Sequence, residues 1–334
     1  MHDIRVAEGP DYRCDANDTL LRAGLRAGLG MPYECNSGSC GTCKVELLEG
    51  QVTSLRPDAP GLSDRDRARN RVLACQARPA TDCRIKVRLR PENIPHHKPA
   101  HFRAKLAGFR DLTHDLREFT FTAKDGPGFL PGQYALFYLP GLEAPRTYSM
   151  SNVDEGRGEW QFVVKRMAGG AGTAAMFDLA IGSEIDMDGP YGLAYLRPES
   201  PRDIVLIGGG SGLAPVLSLA RGAVREPKLD GRKIHVFYGA RARRDLCGDE
   251  IKALPGYGER LFFTAVLSEP QADSTEEWKG PTGFVHETVR KFVGERWADF
   301  EYYFAGPPPM AAAVQQMLIE KRVPYPQVHF DSFY

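Results

Sequence analysis

This sequence of 334 residues lacks the features that mark several large classes of protein. It has no excess of charge of either sign, because 43 Lys and Arg residues balance 43 Asp and Glu residues. That balance argues against a nucleic-acid-binding protein or a membrane-surface protein that relies on bulk charge. No apolar run approaches the roughly 18 residues of a membrane-spanning helix, and no N-terminal stretch has the form of a secretion signal. We therefore expect a cytoplasmic protein that binds neither nucleic acid nor membrane.

The N-terminal part of the chain has the pattern of a small α+β domain, which we place at residues 1–92. An amphipathic pattern predicts a helix within 18–29, and alternating polar and apolar residues predict strands at 44–50 and 83–89. The stretch that follows is rich in proline and has no periodicity, which predicts a linker at 93–101.

Two further domains are predicted beyond the linker. Residues 102–198 contain short β-like runs broken by Gly and Pro, which is typical of an antiparallel β-barrel. From 199 to 334 buried strands alternate with helical stretches, a pattern that predicts a doubly wound parallel sheet. The expected fold class is thus a multidomain α+β and α/β protein with a β-grasp-like N-terminal domain, an antiparallel β-barrel and a doubly wound parallel sheet.

Four of the seven cysteines carry the most informative motif. Cys35, Cys40 and Cys43 have the spacing Cys-x4-Cys-x2-Cys, and Cys75 follows at a distance. This is the spacing of the ligands of a plant-type [2Fe–2S] cluster, in which one tight loop supplies three of the four thiolates. The alternative is a structural zinc site, but zinc usually takes two Cys-x2–4-Cys pairs or Cys/His pairs, and only one short pair exists here. The remaining cysteines are too few for a disulfide framework and are expected to be ordinary buried residues: Cys14, Cys83 and Cys247.

The predicted barrel contains residues suited to a flavin. In Arg146-Thr147-Tyr148-Ser149, Arg146 could neutralise a pyrophosphate, Tyr148 could lie against a ring system, and Ser149 could bind a ring nitrogen. On its own this tetrapeptide is also compatible with a plain strand end. A glycine turn that leads into a predicted helix start is likewise suited to phosphate, and its candidate ligands are Gly170, Gly172 and Thr173.

The predicted parallel sheet contains residues suited to a dinucleotide. A glycine-rich turn follows a buried strand and opens a helix, where backbone N–H groups and the helix dipole favour a pyrophosphate. Residues after two other strands are expected at the same edge of the sheet, because ligands lie at the carboxyl ends of parallel strands. The candidate binding residues are Gly208, Gly209, Gly210, Ser211, Gly212, Gly239, Arg241, Gly306, Pro307 and Met310.

In this order the motifs resemble a known family. A plant-type ferredoxin domain, an Arg-x-Tyr-Ser barrel, a Gly-Gly-Gly-Ser-Gly loop and a closing Gly-Pro-Pro-x-Met resemble the reductase components of bacterial multicomponent oxygenases, which are built on a ferredoxin–NADP reductase-like core. Stretches such as Pro32–Gly38 and His329–Asp331 are most similar to the reductases of toluene or benzene monooxygenases. The resemblance implies that the barrel binds FAD, that the sheet domain binds NADH, and that the C-terminal aromatic residues Phe333 and Tyr334 lie near the flavin. Ser149 and Tyr334 would then be the catalytic residues. Relatives often have Cys where this chain has Ala305.

The predicted function follows from the electron count. A nicotinamide delivers two electrons as a hydride and the cluster accepts one, so a flavin between them must divide the pair. No Glu-x-x-His motif of di-iron bundles occurs in the chain, so we expect oxygen chemistry to take place on another polypeptide. The predicted partner is a Rieske-type ferredoxin or a di-iron hydroxylase of an aromatic-hydrocarbon monooxygenase, and the reductase itself is expected to be a monomer. Alternatives are a similar reductase that serves a ring dioxygenase or a deoxysugar dehydratase, and a non-catalytic redox sensor.

The choice of nicotinamide depends on three arginines. Arg241, Arg243 and Arg244 follow the second predicted strand of the nucleotide domain, where an arginine would bind the 2′-phosphate of NADPH. They are equally compatible with solvated loop charges. Because the reductases that the chain resembles use NADH, NADH is the predicted donor.

Overall fold

The protein is described by a computed structural model that covers residues 1–332. The first domain contains β1 His2–Val6, β2 Tyr12–Cys14, α1 Leu20–Arg26, β3 Lys44–Glu49, β4 Val52–Ser54, α2 Asp64–Arg67, β5 Arg71–Leu73, β6 Ala77–Pro79 and β7 Cys83–Lys86. Its five-stranded sheet has the order β2-β1-β7-β3-β5, with β1 and β7 parallel and the other neighbours antiparallel. This mixed sheet confirms the expected β-grasp-like ferredoxin domain.

Helix α1 forms where the sequence predicts it and covers the sheet. The Thr19 side chain accepts a hydrogen bond from a backbone N–H of the first turn, which caps the helix. Leu20 and Leu25 point into the same core as Ile4 of β1 and Ile85 of β7, and all four are fully buried. Burial of each of these side chains stabilises the domain by roughly 1.5–3 kcal/mol.

The second domain is a six-stranded antiparallel sheet that closes on itself. Its elements are β8 Ala100–Asp111, β9 Leu116–Thr122, β10 Tyr134–Tyr138, β11 Arg146–Ser149, β12 Glu159–Lys165, α3 Ala171–Phe177 and β13 Glu184–Tyr191. The strand order is β11-β10-β13-β8-β9-β12. The two edge strands meet through a bridge between Met150 and Phe162, and this closure confirms the predicted barrel.

The third domain is a parallel sheet with helices between its strands. Its elements are β14 Asp203–Gly209, α4 Leu213–Arg225, β15 Ile234–Ala240, α5 Asp249–Lys252, β16 Leu261–Leu267, α6 Val285–Val293, β17 Phe300–Gly306, α7 Pro308–Glu320 and β18 Val328–Ser332. The order β16-β15-β14-β17-β18, with every pair parallel, confirms the doubly wound fold. The chain reverses direction across the sheet beside β14, so the glycine turn after β14 lies at the switch point.

Several elements differ in extent from the sequence prediction. Strand β8 begins at Ala100, so the last two residues of the predicted linker belong to the barrel. The linker also contacts both neighbours: the Asn93 side chain donates to the Met31 carbonyl, and the imidazole of His96 lies 3.0 Å from the Tyr195 hydroxyl. The exact division of the chain into domains stays a prediction.

The ferredoxin domain is docked against the barrel through buried polar contacts. The Tyr33 hydroxyl accepts a hydrogen bond from the N–H of Gly192 at 3.0 Å, and Tyr134 and Tyr191 of the barrel belong to the same apolar core as α1. Within residues 1–332, no helix combines the length and the apolar character needed to cross a membrane.

Candidate redox site

The four predicted cluster ligands lie together at one end of the ferredoxin domain, and hydrogen-bond donors surround their sulfur atoms. The Cys35 Sγ accepts from the backbone N–H groups of Ser37 and Cys40 at 3.5 and 3.4 Å. The Thr42 N–H points at the Cys40 Sγ, and the Gln76 amide donates to the Cys75 Sγ, both at 3.4 Å. Such donors stabilise the negative charge that thiolates carry when they bind iron.

The sulfur atoms are arranged in pairs. Cys35 shares a hydrogen bond with Cys40, which lowers the pKa of Cys35 and raises that of Cys40; Cys43 and Cys75 form a second such pair, in which the pKa of Cys75 is lowered. One zinc ion with bonds of about 2.3 Å would gather all four sulfurs within about 4 Å of one another. Of the residues that the structure describes, only His114, Asp115 and Asp245 place three ligand atoms within 4.8 Å. Two separate sulfur pairs fit the two irons of a [2Fe–2S] cluster better than they fit one zinc ion.

The loop that carries these ligands needs unusual backbone angles. Asn36, Gly38 and Gly41 have φ values of 53°, 85° and 76°. A Cβ at Gly41 would lie 2.7 Å from the carbonyl oxygen of Gly61, so only glycine fits there. The Asn36 side chain accepts a hydrogen bond from Nε of the buried Arg22 at 3.3 Å, and the same guanidinium donates to the Tyr138 hydroxyl of the barrel at 3.2 Å. Arg22 thus fixes the loop and ties it to the second domain.

The cluster loop meets the barrel beside the predicted flavin residues. The Tyr134 hydroxyl on β10 donates to the carbonyl oxygen of Glu34, directly before the ligand Cys35. On the adjacent strand β11, the hydroxyl of Ser149 donates to the carboxylate of Asp331. Burial raises the pKa of Asp331 to about 6, although the Ser149 hydrogen bond opposes the shift. The sequence did not single out Asp331 as a site residue, because it comes 182 positions after Ser149.

The other predicted flavin residues lie along the same end of the barrel. The Tyr148 ring packs edge-on against Phe137 at 5.1 Å between centroids, and burial raises its pKa to about 12. A Cβ at Gly172 would lie 2.9 Å from the Arg146 side chain, so the start of α3 lies against that arginine. This close approach of a cation to the first turn of a helix suits a pyrophosphate.

Two more predicted residues shape the turn before α3. Gly170 is the N-cap residue of the helix, and the Thr173 hydroxyl donates to its carbonyl oxygen at 3.1 Å. Arg146 donates to the carbonyl oxygen of Ala144 at 2.8 Å, which bends the guanidinium along the strand end. The residues present therefore fit an FAD, which would be held by Arg146, Tyr148, Ser149 and the turn at Gly170, Gly172 and Thr173.

A cavity of 810 Å³ lies between the barrel and the parallel sheet. Its barrel side is formed by Leu116, Lys165 and Met167. Seven predicted nicotinamide-site residues line the sheet side: Gly209, Gly210, Ser211, Gly239, Arg241, Pro307 and Met310. A volume of this size suits a dinucleotide-sized ligand, and its position at the carboxyl ends of β14, β15 and β17 is where such ligands bind.

Three predicted residues act on the shape of this cavity without lining it. A Cβ at Gly212 would overlap the carbonyl oxygen of Ala305, and one at Gly208 would lie 3.1 Å from Val216 of α4. Gly306 faces Met310 so closely that a Cβ would displace its methyl group. These glycines let the helix, the strands and the turn approach one another, as the backbone near a pyrophosphate requires.

The cavity also contains residues that the sequence analysis missed. Ser268 and Gly283 follow β16, and Phe284 and His286 stand at the start of α6 with their rings stacked 6.0 Å apart. The Phe284 side chain is 64% exposed, which is unusual for a residue of this size and favours a ring-stacking role. Gly280 and Gly283 precede Phe284, but a long loop separates them from β16, so the continuous strand–glycine–helix signal found at Gly208 is missing here. Phe333 and Tyr334, the predicted C-terminal flavin contacts, lie outside the described residues.

The arginines considered for a 2′-phosphate are paired with acidic residues. The Nε of Arg241 lies 3.1 Å from a Glu269 oxygen, and a nitrogen of Arg243 lies 3.2 Å from Glu276. The backbone N–H of Arg244 donates to Asp273. A second phosphate here would have to displace or approach these carboxylates, which disfavours NADPH.

Three family descriptions match successive parts of the chain. They are the 2Fe-2S iron-sulfur cluster binding domain at residues 6–80, the oxidoreductase FAD-binding domain at 103–195 and the oxidoreductase NAD-binding domain at 206–316. The three matches assign the cluster, FAD and NADH to the three domains.

Two curated relatives and one solved structure match the whole chain. The ferredoxin–NAD(P)(+) reductase CarAd of Metapseudomonas resinovorans is 38% identical over 100% of both chains. The ferredoxin–NAD(+) reductase component of the alkene monooxygenase system of Xanthobacter autotrophicus is 36% identical, over 99% of this chain and 100% of the relative. The solved ferredoxin reductase in carbazole 1,9a-dioxygenase is 37% identical with a TM-score of 0.90, over 100% of this chain and 98% of that one.

Proposed function

This chain belongs to the ferredoxin–NAD(P)+ reductase components of bacterial oxygenase systems, and from that premise we propose that it delivers electrons to a Rieske-type ferredoxin of an aromatic-hydrocarbon monooxygenase. Electrons pass from the nicotinamide to FAD and then to the [2Fe–2S] cluster. An FAD held by Arg146, Tyr148 and Ser149 would supply the conversion between a two-electron hydride and single electrons, which the protein's own side chains do not possess.

A contact between the cluster loop and strand β10 supports this electron path, because β10 lies next to β11, which carries the predicted flavin residues. Tyr134 binds the backbone of Glu34, one residue before Cys35, and pairs across the sheet with Ser149. The flavin and the cluster ligands therefore converge on one interface. The protein sets the distance between them, and that distance decides how fast an electron crosses.

The chain's own residues supply the remaining functions. The cavity between Lys165 and Met310 would hold the nicotinamide donor against the barrel. Ser149 holds a proton at its Oγ in a hydrogen bond to Asp331, and the raised pKa of Asp331 allows that carboxyl group to exchange a proton near neutral pH. This pair is suited to supply the proton that accompanies reduction of the adjacent ring.

The relatives favour a ferredoxin as the direct acceptor. CarAd and the alkene monooxygenase component are both named as ferredoxin reductases. The alternative within this proposal is direct electron transfer from the reductase to a di-iron hydroxylase, with no ferredoxin between them. A ring dioxygenase is the second candidate system, because the solved relative of TM-score 0.90 serves carbazole 1,9a-dioxygenase.

Reconstitution with purified partners tests the proposal. The reductase is mixed with NADH and either a Rieske-type ferredoxin plus a di-iron hydroxylase, the hydroxylase alone, or the ferredoxin plus a ring dioxygenase. We expect ferredoxin-dependent hydroxylation of an aromatic hydrocarbon in the first mixture. Turnover only with the dioxygenase would select the second candidate, and NADH oxidation by ferricyanide without transfer to any of these partners would contradict both.

A further inference from the structure

A cationic groove opens on the ferredoxin domain beside the cluster. It has a volume of 490 Å³, and its walls come from β3, β4 and the segment between β4 and β6. Three arginines line it, Arg56, Arg67 and Arg71, against a single acidic residue, Glu49. The groove lies on a different part of the domain from the contacts to the barrel and is open to solvent.

The positive charge of the groove is poorly compensated. Glu49 is already paired with Arg84 at 3.1 Å, and Arg71 is paired with the buried Asp66 at 3.2 Å. Over residues 1–332, neither Arg56 nor Arg67 has an ion-pair partner; both donate only to uncharged oxygens, Arg67 to the carbonyl of Pro57 at 2.6 Å. On the same segment the exposed Arg65 and Arg69 are balanced by the exposed Asp58 and Asp64, so the uncompensated charge at the groove is that of Arg56 and Arg67. Unpaired cations that line a groove attract a negatively charged partner.

Apolar side chains complete the surface. Leu48 lines the groove and is 39% exposed, and Leu55, next to Arg56, is 37% exposed. Val52, Leu62 and Val72 form the floor. Exposed leucines within a ring of arginines have the composition of a small protein interface, with an apolar centre and a charged rim.

The groove is connected to the cluster by single residues. Gln76 lines it and donates to the Cys75 Sγ at 3.4 Å, so one side chain separates the groove from a cluster ligand. Arg56 lines it as well and donates to the Ser37 carbonyl at 3.2 Å and to the Ser39 hydroxyl at 3.4 Å in the cluster loop. A partner seated here would lie within short electron-transfer distance of the cluster, while the side of the loop at Glu34 faces the barrel.

We propose that this groove, formed by Arg56, Arg67, Leu48 and Gln76, is the docking surface for an acidic electron-acceptor protein. The proposal rests on the proposed function, since it names the exit point of the same electron path. Electrons enter the cluster from the barrel side and leave through the groove. The acceptor binds with carboxylates on Arg56 and Arg67 and an apolar side chain on Leu48, as a transient and salt-sensitive contact.

The test compares two acceptor proteins of opposite charge. The probes are a Rieske-type ferredoxin of net negative charge and the basic protein cytochrome c. The variant is Arg67→Glu, because Arg67 does not touch the cluster loop, and Leu48→Asn tests the apolar centre. Lys291→Glu on α6 is the matched control. Lys291 is exposed, and no acidic residue within 1–332 forms an ion pair with it. Visible absorbance and the EPR signal of the reduced protein report whether each variant retains its cluster.

At an ionic strength of about 0.02 M, we expect Arg67→Glu to lower kcat/KM for the ferredoxin by about five- to tenfold, through KM, and to flatten its salt dependence. Leu48→Asn should lower kcat/KM by about threefold without changing the salt dependence. Cytochrome c reduction should be at least as fast in Arg67→Glu as in the wild type, and Lys291→Glu should match the wild type with both acceptors.

If Arg67→Glu has the wild-type kcat/KM for the ferredoxin, the groove is not the docking surface, and the proposed function is unaffected. An equal loss with both acceptors would also overturn the docking surface, because the effect would then lie in the cluster. If the wild-type reductase reduces cytochrome c and not the ferredoxin, the proposed acceptor itself is wrong, and the docking surface falls with it.

Discussion

The guanidinium of Arg26 lies 2.6 Å from the buried carboxylate of Asp188, and this ion pair joins helix α1 of the ferredoxin domain to β13 of the barrel. Asp188 has no exposed surface and also accepts from the Tyr191 hydroxyl at 2.8 Å. Arg26 makes a second close contact, with Asp18 before α1. The pair therefore fixes the helix that precedes the cluster loop relative to the flavin domain.

Arg26→Ala should loosen this interface. It leaves the Asp188 charge buried without its main partner, which costs about 3–5 kcal/mol in comparable buried pairs. We expect slower electron transfer to cytochrome c, which needs the cluster, with ferricyanide reduction at the flavin unchanged. Asp188→Asn in the same chain removes the unpaired charge and should recover part of the lost stability in thermal unfolding. No change in either rate in Arg26→Ala would mean that other contacts alone position the domains.

Arg146→Ala should weaken FAD retention. Removal of one charge-assisted hydrogen bond to a buried phosphate costs roughly 1.5–3 kcal/mol, which is about a ten- to hundredfold loss of affinity. Flavin content after gel filtration, together with a titration of the apoprotein with FAD, measures the effect. Arg157→Ala, in the exposed loop before β12, serves as the control, because Arg157 is paired only with Glu155. Unchanged affinity would place the pyrophosphate elsewhere, with the turn at Gly170 as the next candidate.

NADH should be preferred over NADPH by more than about tenfold in kcat/KM, a difference of some 1.4 kcal/mol. The reason is the pairing of Arg241 with Glu269, which places a carboxylate beside the arginine that would otherwise be free to bind a 2′-phosphate. Glu269→Gln should reduce the preference for NADH by lowering the KM for NADPH. Glu277 is exposed and lies farther along the loop, so Glu277→Gln should leave the preference unchanged. A tenfold preference for NADPH in the wild type would give Arg241 a direct role in binding phosphate.

The stability of the nucleotide domain should fall in mild acid because of His235. Burial beside Phe262 and Phe292 lowers the pKa of His235 from 6.5 to about 4. Between those two pH values the unfolded chain binds a proton that the folded domain does not, so stability is lost as the pH falls through this window. The expected loss is about 1–2 kcal/mol after allowance for partial exposure.

The measurement is the thermal unfolding of wild type and His235→Gln at pH 7.5 and pH 5. The variant should lose less stability between the two pH values than the wild type. His286→Gln is the control: His286 is also half-buried but packs against one ring, Phe284, where His235 packs against three, and this variant should behave as the wild type does. If His235→Gln loses as much stability between pH 7.5 and pH 5 as the wild type does, the loss of stability comes from other groups, such as the nearby Asp203.

The sequence predicted the parts that depend on local patterns. The spacing of Cys35, Cys40 and Cys43 identifies the cluster because these three ligands share one loop. The strand–glycine–helix pattern at Gly208 identifies the switch point because its three parts follow one another without a break in the sequence. Strand β13 was missed, since Asp186, Asp188 and Gly189 interrupt its apolar alternation.

The parts that the sequence could not predict depend on residues far apart in the chain. Asp331 reaches Ser149 only after the third domain has folded onto the second. The amphipathic pattern places Arg22 on the solvent-facing side of its helix. In the structure Arg22 is buried and donates hydrogen bonds to both Asn36 and Tyr138. The cationic groove likewise combines segments from β3 to β6, and its charge becomes visible only when the pairing of each arginine is known.

Cys75→Ser separates the cluster, as the exit point of the electron path, from the flavin, as its entry point. The variant and the wild type are compared, with NADH as donor, for reduction of ferricyanide and of a Rieske-type ferredoxin. We expect Cys75→Ser to lose the cluster absorbance and nearly all transfer to the ferredoxin, and to keep its FAD and its ferricyanide activity. A folded, cluster-free variant that still reduces the ferredoxin at the wild-type rate would show that electrons leave the protein without passing through the cluster.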